Sequence, residues 1–246
     1  MKNIIFHLIF CLLCITSYAQ LKIGVKGGAN YTNVIGKDGN GDKAAGHKFI
    51  PGFHAGLLFE YGLSQDISLQ TEGVYSTKGF RLKNTSTSSP SPSTTIDQKF
   101  DVQYNLAYID VPFLLNIYFG EMASYIGIGP QLSFLASSKW DGTATTTSTT
   151  TNPPNPPATS TFDYTVAGND KKGYALVDFS AVIGTGSKWE SGIEYCLRAG
   201  YGFTNVNDPS TSGSNDVLHN LVFTVSLGYG FDLGGGGGKK RSYKRR

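Results

Sequence analysis

The chain has 246 residues, of which 39% are hydrophobic and 16% charged, a length that suits one large domain. The formal net charge of +3 is unevenly spread: six of the 21 basic residues crowd the last eight positions and Lys2 heads the chain. That leaves 14 basic against 18 acidic residues in between, which excludes nucleic acid as a partner of the folded body.

Residues 1–19 read as a secretory signal peptide. Lys2 supplies the positive start and Ile4 to Thr16 the apolar run, while Ser17-Tyr18-Ala19 ends in a small-x-small cleavage pattern before Gln20. The apolar run is too short to span a bilayer as a helix, and no later stretch is longer without charge. Cys11 and Cys14 fall in this leader. The mature chain keeps only Cys196 and has no internal disulfide.

From Leu21 onward, eight segments alternate with period two: Leu21–Asn33, Ile50–Leu63, Asp66–Phe80, Val102–Phe119, Tyr125–Ser138, Tyr174–Gly184, Trp189–Phe203 and Leu218–Asp232. The fourth is the clearest. Ile109, Val111, Phe113, Leu115, Ile117 and Phe119 alternate with Tyr108, Asp110, Pro112, Asn116 and Tyr118. Period two means strands with unlike faces. Eight such strands, each long enough to cross a bilayer at a tilt, predict a barrel with its apolar face toward lipid. Aromatics near the strand ends predict two girdles: Tyr61, Phe119, Trp189, Tyr229 and Phe231 at one, Tyr31, Tyr75, Tyr201 and Phe203 at the other. Connections alternate between short turns and long segments. The long ones include Thr85–Thr95, almost all Ser, Thr and Pro, and the Thr tract Thr143–Thr161. On composition, both are expected to be solvated, mobile loops.

The inward parity holds Lys22, Lys26, His54, Glu60, Gln70, Glu72, Lys78, Asp110, Asn116, Gln131, Asp178, Glu190, Glu194 and Arg198, with many glycines. Eight strands enclose room only for their own side chains, so a packed polar lumen is expected, with no open pore. Lys26, Glu72, Asp110, Asp178, Glu194 and Arg198 fall near mid-strand and form the expected lumen charge network. Four acids then face two bases, leaving a carboxyl to be protonated or hydrated.

Several stretches together resemble a known family. Gly24-Val25-Lys26-Gly27-Gly28-Ala29-Asn30 opens the first strand, and Leu69-Gln70-Thr71-Glu72-Gly73-Val74-Tyr75 lies in the third. Tyr108-Ile109-Asp110-Val111-Pro112-Phe113 lies in the fourth, Gly127-Ile128-Gly129-Pro130 in the fifth, and Tyr201-Gly202-Phe203-Thr204-Asn205 ends the seventh. In order and spacing these are similar to the PorT-like outer-membrane β-barrel family of Bacteroidetes, a porin-like group, from Leu21 to Leu233. The resemblance implies an eight-stranded outer-membrane barrel. One namesake of that family takes part in protein secretion across the outer membrane. No catalytic residues carry over. The chain departs from the pattern after Leu233, where five glycines precede Lys-Lys-Arg-Ser-Tyr-Lys-Arg-Arg.

No G-x-S-x-G elbow, H-E-x-x-H or His/Cys cluster is present, so no catalytic, cofactor or metal site is expected, although His47 and His54 lie toward one mouth. The fold expected is all-β, an eight-stranded antiparallel up-and-down transmembrane β-barrel over residues 20–233. Residues 234–246 form a glycine linker and a basic tail, carrying Lys239, Lys240, Arg241, Lys244, Arg245 and Arg246 toward an anionic periplasmic surface. The location expected is the outer membrane, with both termini periplasmic. The expected partners are membrane lipid and an envelope protein, in a structural or partner-binding role. Rival readings are a small diffusion porin, a soluble lipocalin-like barrel and an outer-membrane enzyme.

Overall fold

The computed structural model describes residues 21–120, 123–151, 157–212 and 215–233. The leader and the glycine-linked basic tail lie outside these residues. Ten strands are present: β1 (Leu21–Lys37), β2 (His47–Lys48), β3 (Ile50–Gly62), β4 (Ile67–Ser91), β5 (Thr94–Phe119), β6 (Ser124–Thr150), β7 (Ala158–Gly168), β8 (Val177–Lys188), β9 (Ile193–Gly202) and β10 (Val217–Asp232). A four-residue helix, α1 (Pro209–Ser212), sits in the last connection.

Eight of the strands form a closed antiparallel ring, β1-β3-β4-β5-β6-β8-β9-β10, which returns to β1. Closure pairs Lys22 with Asp232 at one end and Lys37 with Val217 at the other. Because Leu233 N–H also donates to Leu21 O at 2.8 Å, both ends of the described chain lie at the short-turn end. The β8–β9 turn there depends on Gly192. Its φ is +90°, and a Cβ would stand 2.5 Å from the Gly230 carbonyl oxygen, which no other residue tolerates.

The faces follow the alternation. Val25, Phe113, Ile128 and Leu227 are half exposed or more, while Lys26, Glu72 and Asp110 on the opposite parity are buried. A soluble ligand-binding barrel needs the reverse polarity, so that reading is overturned. The aromatics expected at the strand ends stay outward, and Phe119, Trp189, Tyr31 and Phe203 are all exposed.

Three features correct the sequence reading. First, the Ser/Thr tracts run as strands over residues 85–91, 94–95, 143–150 and 158–161. β4 to β6 run 25, 26 and 27 residues where about 9–11 suffice to cross, so their upper halves stand clear of the ring. There they form a four-stranded sheet with β7, in the order β4-β5-β6-β7. Threonine is β-branched and suits the pleated ladder, and both tracts find a long partner in the start of β5, which lies between them, something composition alone cannot report. Second, β6 carries a bulge. Ala107 pairs with Ser137 but Tyr108 with Leu135, so Ala136 is extra and the parity of β6 flips above it. Third, β8 runs on to Lys188, placing that lysine inside the barrel, while Glu190 is exposed in the turn.

The lipid-face assignment predicts a depth-dependent penalty for charge. Ile128→Arg at mid-belt should destabilise the inserted barrel by roughly 2–4 kcal/mol, and Ile35→Arg near the long-connection end by at most about 1 kcal/mol, read by urea titration in lipid vesicles.

Candidate functional site

The inward side chains stack in layers from the short-turn end upward. In the lowest, Lys188 Nζ lies between two carboxylates, 2.5 Å from Glu60 and 3.2 Å from Glu194. The hydroxyls of Tyr125 and Ser68 donate to Glu194 and Glu60 at 2.9 and 2.6 Å, and Tyr118 also donates to Glu60. The ammonium faces both tyrosine rings, 5.5 Å from the Tyr118 centroid and 5.2 Å from that of Tyr125.

The next layer inverts the signs. Glu72 accepts from Lys26 at 2.9 Å and from both arms of Arg198 at 2.9 and 2.7 Å. A Cβ at position 184 would meet Arg198 Cγ at 2.5 Å, so Gly184 makes the space this guanidinium occupies. Above it, Lys78 Nζ donates to Asp110 at 2.8 Å and to Ser133 Oγ at 3.1 Å. Asp178 shares this level: one carboxylate oxygen accepts from Asn220 at 2.9 Å and the other, Oδ1, is buried without a hydrogen-bond partner.

Between the middle and upper layers lies a chamber of about 50 Å³, lined by Lys26, His54, Asp110, Asp178, Arg198 and Ser226 among others. His54 spans its wall, with Nδ1 2.7 Å from Asn30 Oδ1 and Nε2 2.8 Å from Ser226 Oγ. Asn30 Nδ2 donates to Phe53 O and Thr77 O, which fixes its carbonyl oxygen toward His54. The ring then carries its proton on Nδ1 and accepts from the serine. Serine, histidine and amide stand in the order of a nucleophile, a base and an orienting group. Yet the chamber holds only a few water-sized bodies, at about 10–15 Å³ each, and leaves no room for an acyl substrate.

A cap closes the long-connection end. Val34, Phe80, Leu106, Tyr108, Leu135, Val206 and Leu218 form one buried cluster, with His47 packed on Phe80 at 5.2 Å between ring centroids. The lumen is therefore polar only below this level, a correction to the uniformly polar interior expected. Above the cap, outside the membrane belt, Arg81 binds Asp101 through two nitrogens at 2.5 and 2.9 Å and holds its carboxyl below the usual range.

A family model for the outer membrane protein beta-barrel domain matches residues 18–232. The chain belongs to that family. Membership places it in the outer membrane. Solved structures similar to it include Ail of Yersinia pestis, with 13% identity, covering 85% of this chain and 98% of that one at a TM-score of 0.36. Neisserial surface protein A follows at 10% identity, 85% and 97% coverage and TM-score 0.38. OprG of Pseudomonas aeruginosa gives 13%, 89%, 99% and 0.33. No curated protein matches the sequence.

Of the lumen residues expected from sequence, Lys26, Glu72 and Arg198 meet directly, Glu194 joins Lys188 and Glu60, Asp110 joins Lys78, and Asp178 lies near Lys78 and is held by Asn220. The imbalance expected, four acids against two bases, shrinks because Lys78 and Lys188 add two cations and Glu60 one acid. Lys188 was missed because it ends a Thr-Gly-Ser-Lys stretch that reads as a turn. Its parity with Gly184 and Gly186 was the available signal.

Removing the shared cation of the lowest layer should be costly, since it leaves two buried carboxylates together. Lys188→Met should lose roughly 3–5 kcal/mol of stability in urea titration. Adding Glu60→Gln and Glu194→Gln should recover most of that loss. A small effect of the single change would mean that the layer is hydrated from outside.

Proposed function

We propose that this barrel is a closed anchor that presents its four-stranded outer sheet to a protein partner of the cell envelope. The observation that carries this reading is the edge of β7. It is eleven residues long, pairs on one side only, with β6, and has neither a bulge nor a Lys, Arg or Pro between Ala158 and Gly168. Natural sheets usually blunt such edges, because a row of unpaired amides and carbonyls recruits another strand. Phe162 and Tyr164 stand on one face of β7, 67% and 47% exposed, and supply apolar anchors beside the edge. An extended segment of a partner would add main-chain hydrogen bonds to these anchors.

In this reading the long-connection end faces outward and both termini face the periplasm. The basic residues Lys239 to Arg246 would then contact an anionic periplasmic surface through weak, salt-sensitive pairs. A role in protein secretion is supported only by the resemblance noted above. The filled lumen disfavours a diffusion porin, and the size of the chamber disfavours an enzyme acting at Ser226.

A photocrosslinking residue placed at Phe162 in whole cells should capture a discrete partner, and Thr165→Pro, which disrupts the edge, should abolish capture while the barrel still shifts on heating in gels. Truncation after Leu233 should leave that capture intact and remove only salt-sensitive retention. Crosslinking to lipid alone, or capture unaffected by the proline, would sink the reading.

A further inference from the structure

On the outer surface, just above the belt, cations gather on one side of the barrel. β2 lies on β4 with Lys48 opposite Arg81 and His47 opposite Leu82. His47 faces inward onto Phe80, so Lys48 and Arg81 face outward, and both are exposed. Lys83, two positions further along β4, shares that face. Two cations directly opposite each other on paired strands repel. The acid at hand is Asp101, which accepts from two nitrogens of Arg81 and lies 3.1 Å from the Lys83 ammonium. Among the described residues Lys48 forms no ion pair. Three cations against one carboxylate leave two positive charges. The charges around the cluster are already matched. Asp97 and Lys99 alternate further up β5, Asp141 and Lys139 do so on β6, and Lys37 and Lys43 share their connection with Asp38 and Asp42. Asp216 is turned to the Gly39 amide at 2.8 Å.

Aromatics beneath the cluster fix its height. The stretch from His54 to Lys48 is one position longer than that between their partners Ser76 and Arg81, and Phe49 turns outward in the slack. Its ring stacks on Tyr31 at 4.7 Å between centroids and approaches Phe223 at 6.1 Å. Tyr31 and Phe223 are exposed on the lipid face, and a girdle of such rings marks the level of lipid headgroups. Lys48 leaves the chain one residue from that girdle, and a lysine so placed extends its ammonium to the headgroup level.

We propose that Lys48, Arg81 and Lys83 bind the phosphate monoester of one lipid in the leaflet at the long-connection end, its acyl chains running down past Phe49 and Tyr31. A phosphate monoester carries a charge of about −1.5 to −2, which matches the two positive charges left by Asp101. Arg81 uses Nε and Nη2 on Asp101 and keeps Nη1 for a phosphate oxygen, and the lysines add point charges on either side. A free phosphate would find the same cations but make no use of the rings below them, so the girdle selects a lipid.

Binding to the folded state alone raises stability with ligand concentration. The test uses the full chain folded in phosphatidylcholine vesicles at constant ionic strength and pH, with phosphatidic acid added stepwise as the probe. The urea midpoint should rise saturably with phosphatidic acid, and less with phosphatidylglycerol, a diester. Lys48→Gln with Arg81→Gln and Lys83→Gln should weaken the apparent affinity roughly thirtyfold, the weight of two charges near a lipid surface. Removing as many charges elsewhere at the same end, by Lys99→Gln with Lys171→Gln and Lys172→Gln, should leave it unchanged. Native mass spectrometry should show one retained phosphatidic acid on the unmodified chain and none on the first variant. An equal response in the first variant would overturn the site, as would an equal rise with both lipids. A rise that inorganic phosphate reproduces in phosphatidylcholine alone would overturn the lipid as its occupant.

Discussion

Strands in hydrocarbon have no water to turn to, so each backbone amide must find a partner within the sheet. Here that demand is met by the pairing of the first and last strands of the ring, from Lys22 with Asp232 to Lys37 with Val217. The closure is what makes the inside of this molecule an inside. It turns one parity of every strand toward lipid and confines the other to a space that only side chains and a few waters can fill.

Inside that space the same low polarity makes charge expensive, and the residues answer by layering. A cation lies between two acids, then an acid between two cations, then a lysine–aspartate pair with Asp178 beside it. Buried pairs of this kind add little net stability against an apolar alternative, but losing one member is severe. They bind strands far apart in sequence: Lys188 and Glu60 are separated by 128 positions and Arg198 and Glu72 by 126. The layers thus tie opposite walls together, and the apolar cap around Leu106 and Tyr108 seals them from above.

The ring was legible because a half-lipid, half-lumen strand can hardly have any pattern but period two, and Ile109 to Phe119 display it almost without error. Which inward groups meet was not legible. Strand tilt and stagger decide that, and no local pattern records that Lys188 reaches Glu60. The bulge at Ala136 hid the upper parity of β6, and with it the inward Ser138. In the Ser/Thr tracts composition reports solubility, and solubility is compatible with strand formation. An exposed sheet needs β-branched residues and partners, and it does not need a core. The apolar cap is not legible because Val34, Phe80 and Leu218 stand at or just past the ends of the alternating segments, where either parity carries apolar residues.

Closure of the lumen follows from the layers and the cap, and single-molecule electrical recording reads that property most directly. Purified full-length protein, inserted in planar bilayers at moderate salt, should show no steady open-channel current, and Lys188→Ala with Glu72→Ala should raise the frequency of brief openings. Large, uniform conductance steps from the unmodified protein would contradict the layered, capped interior and restore the diffusion porin.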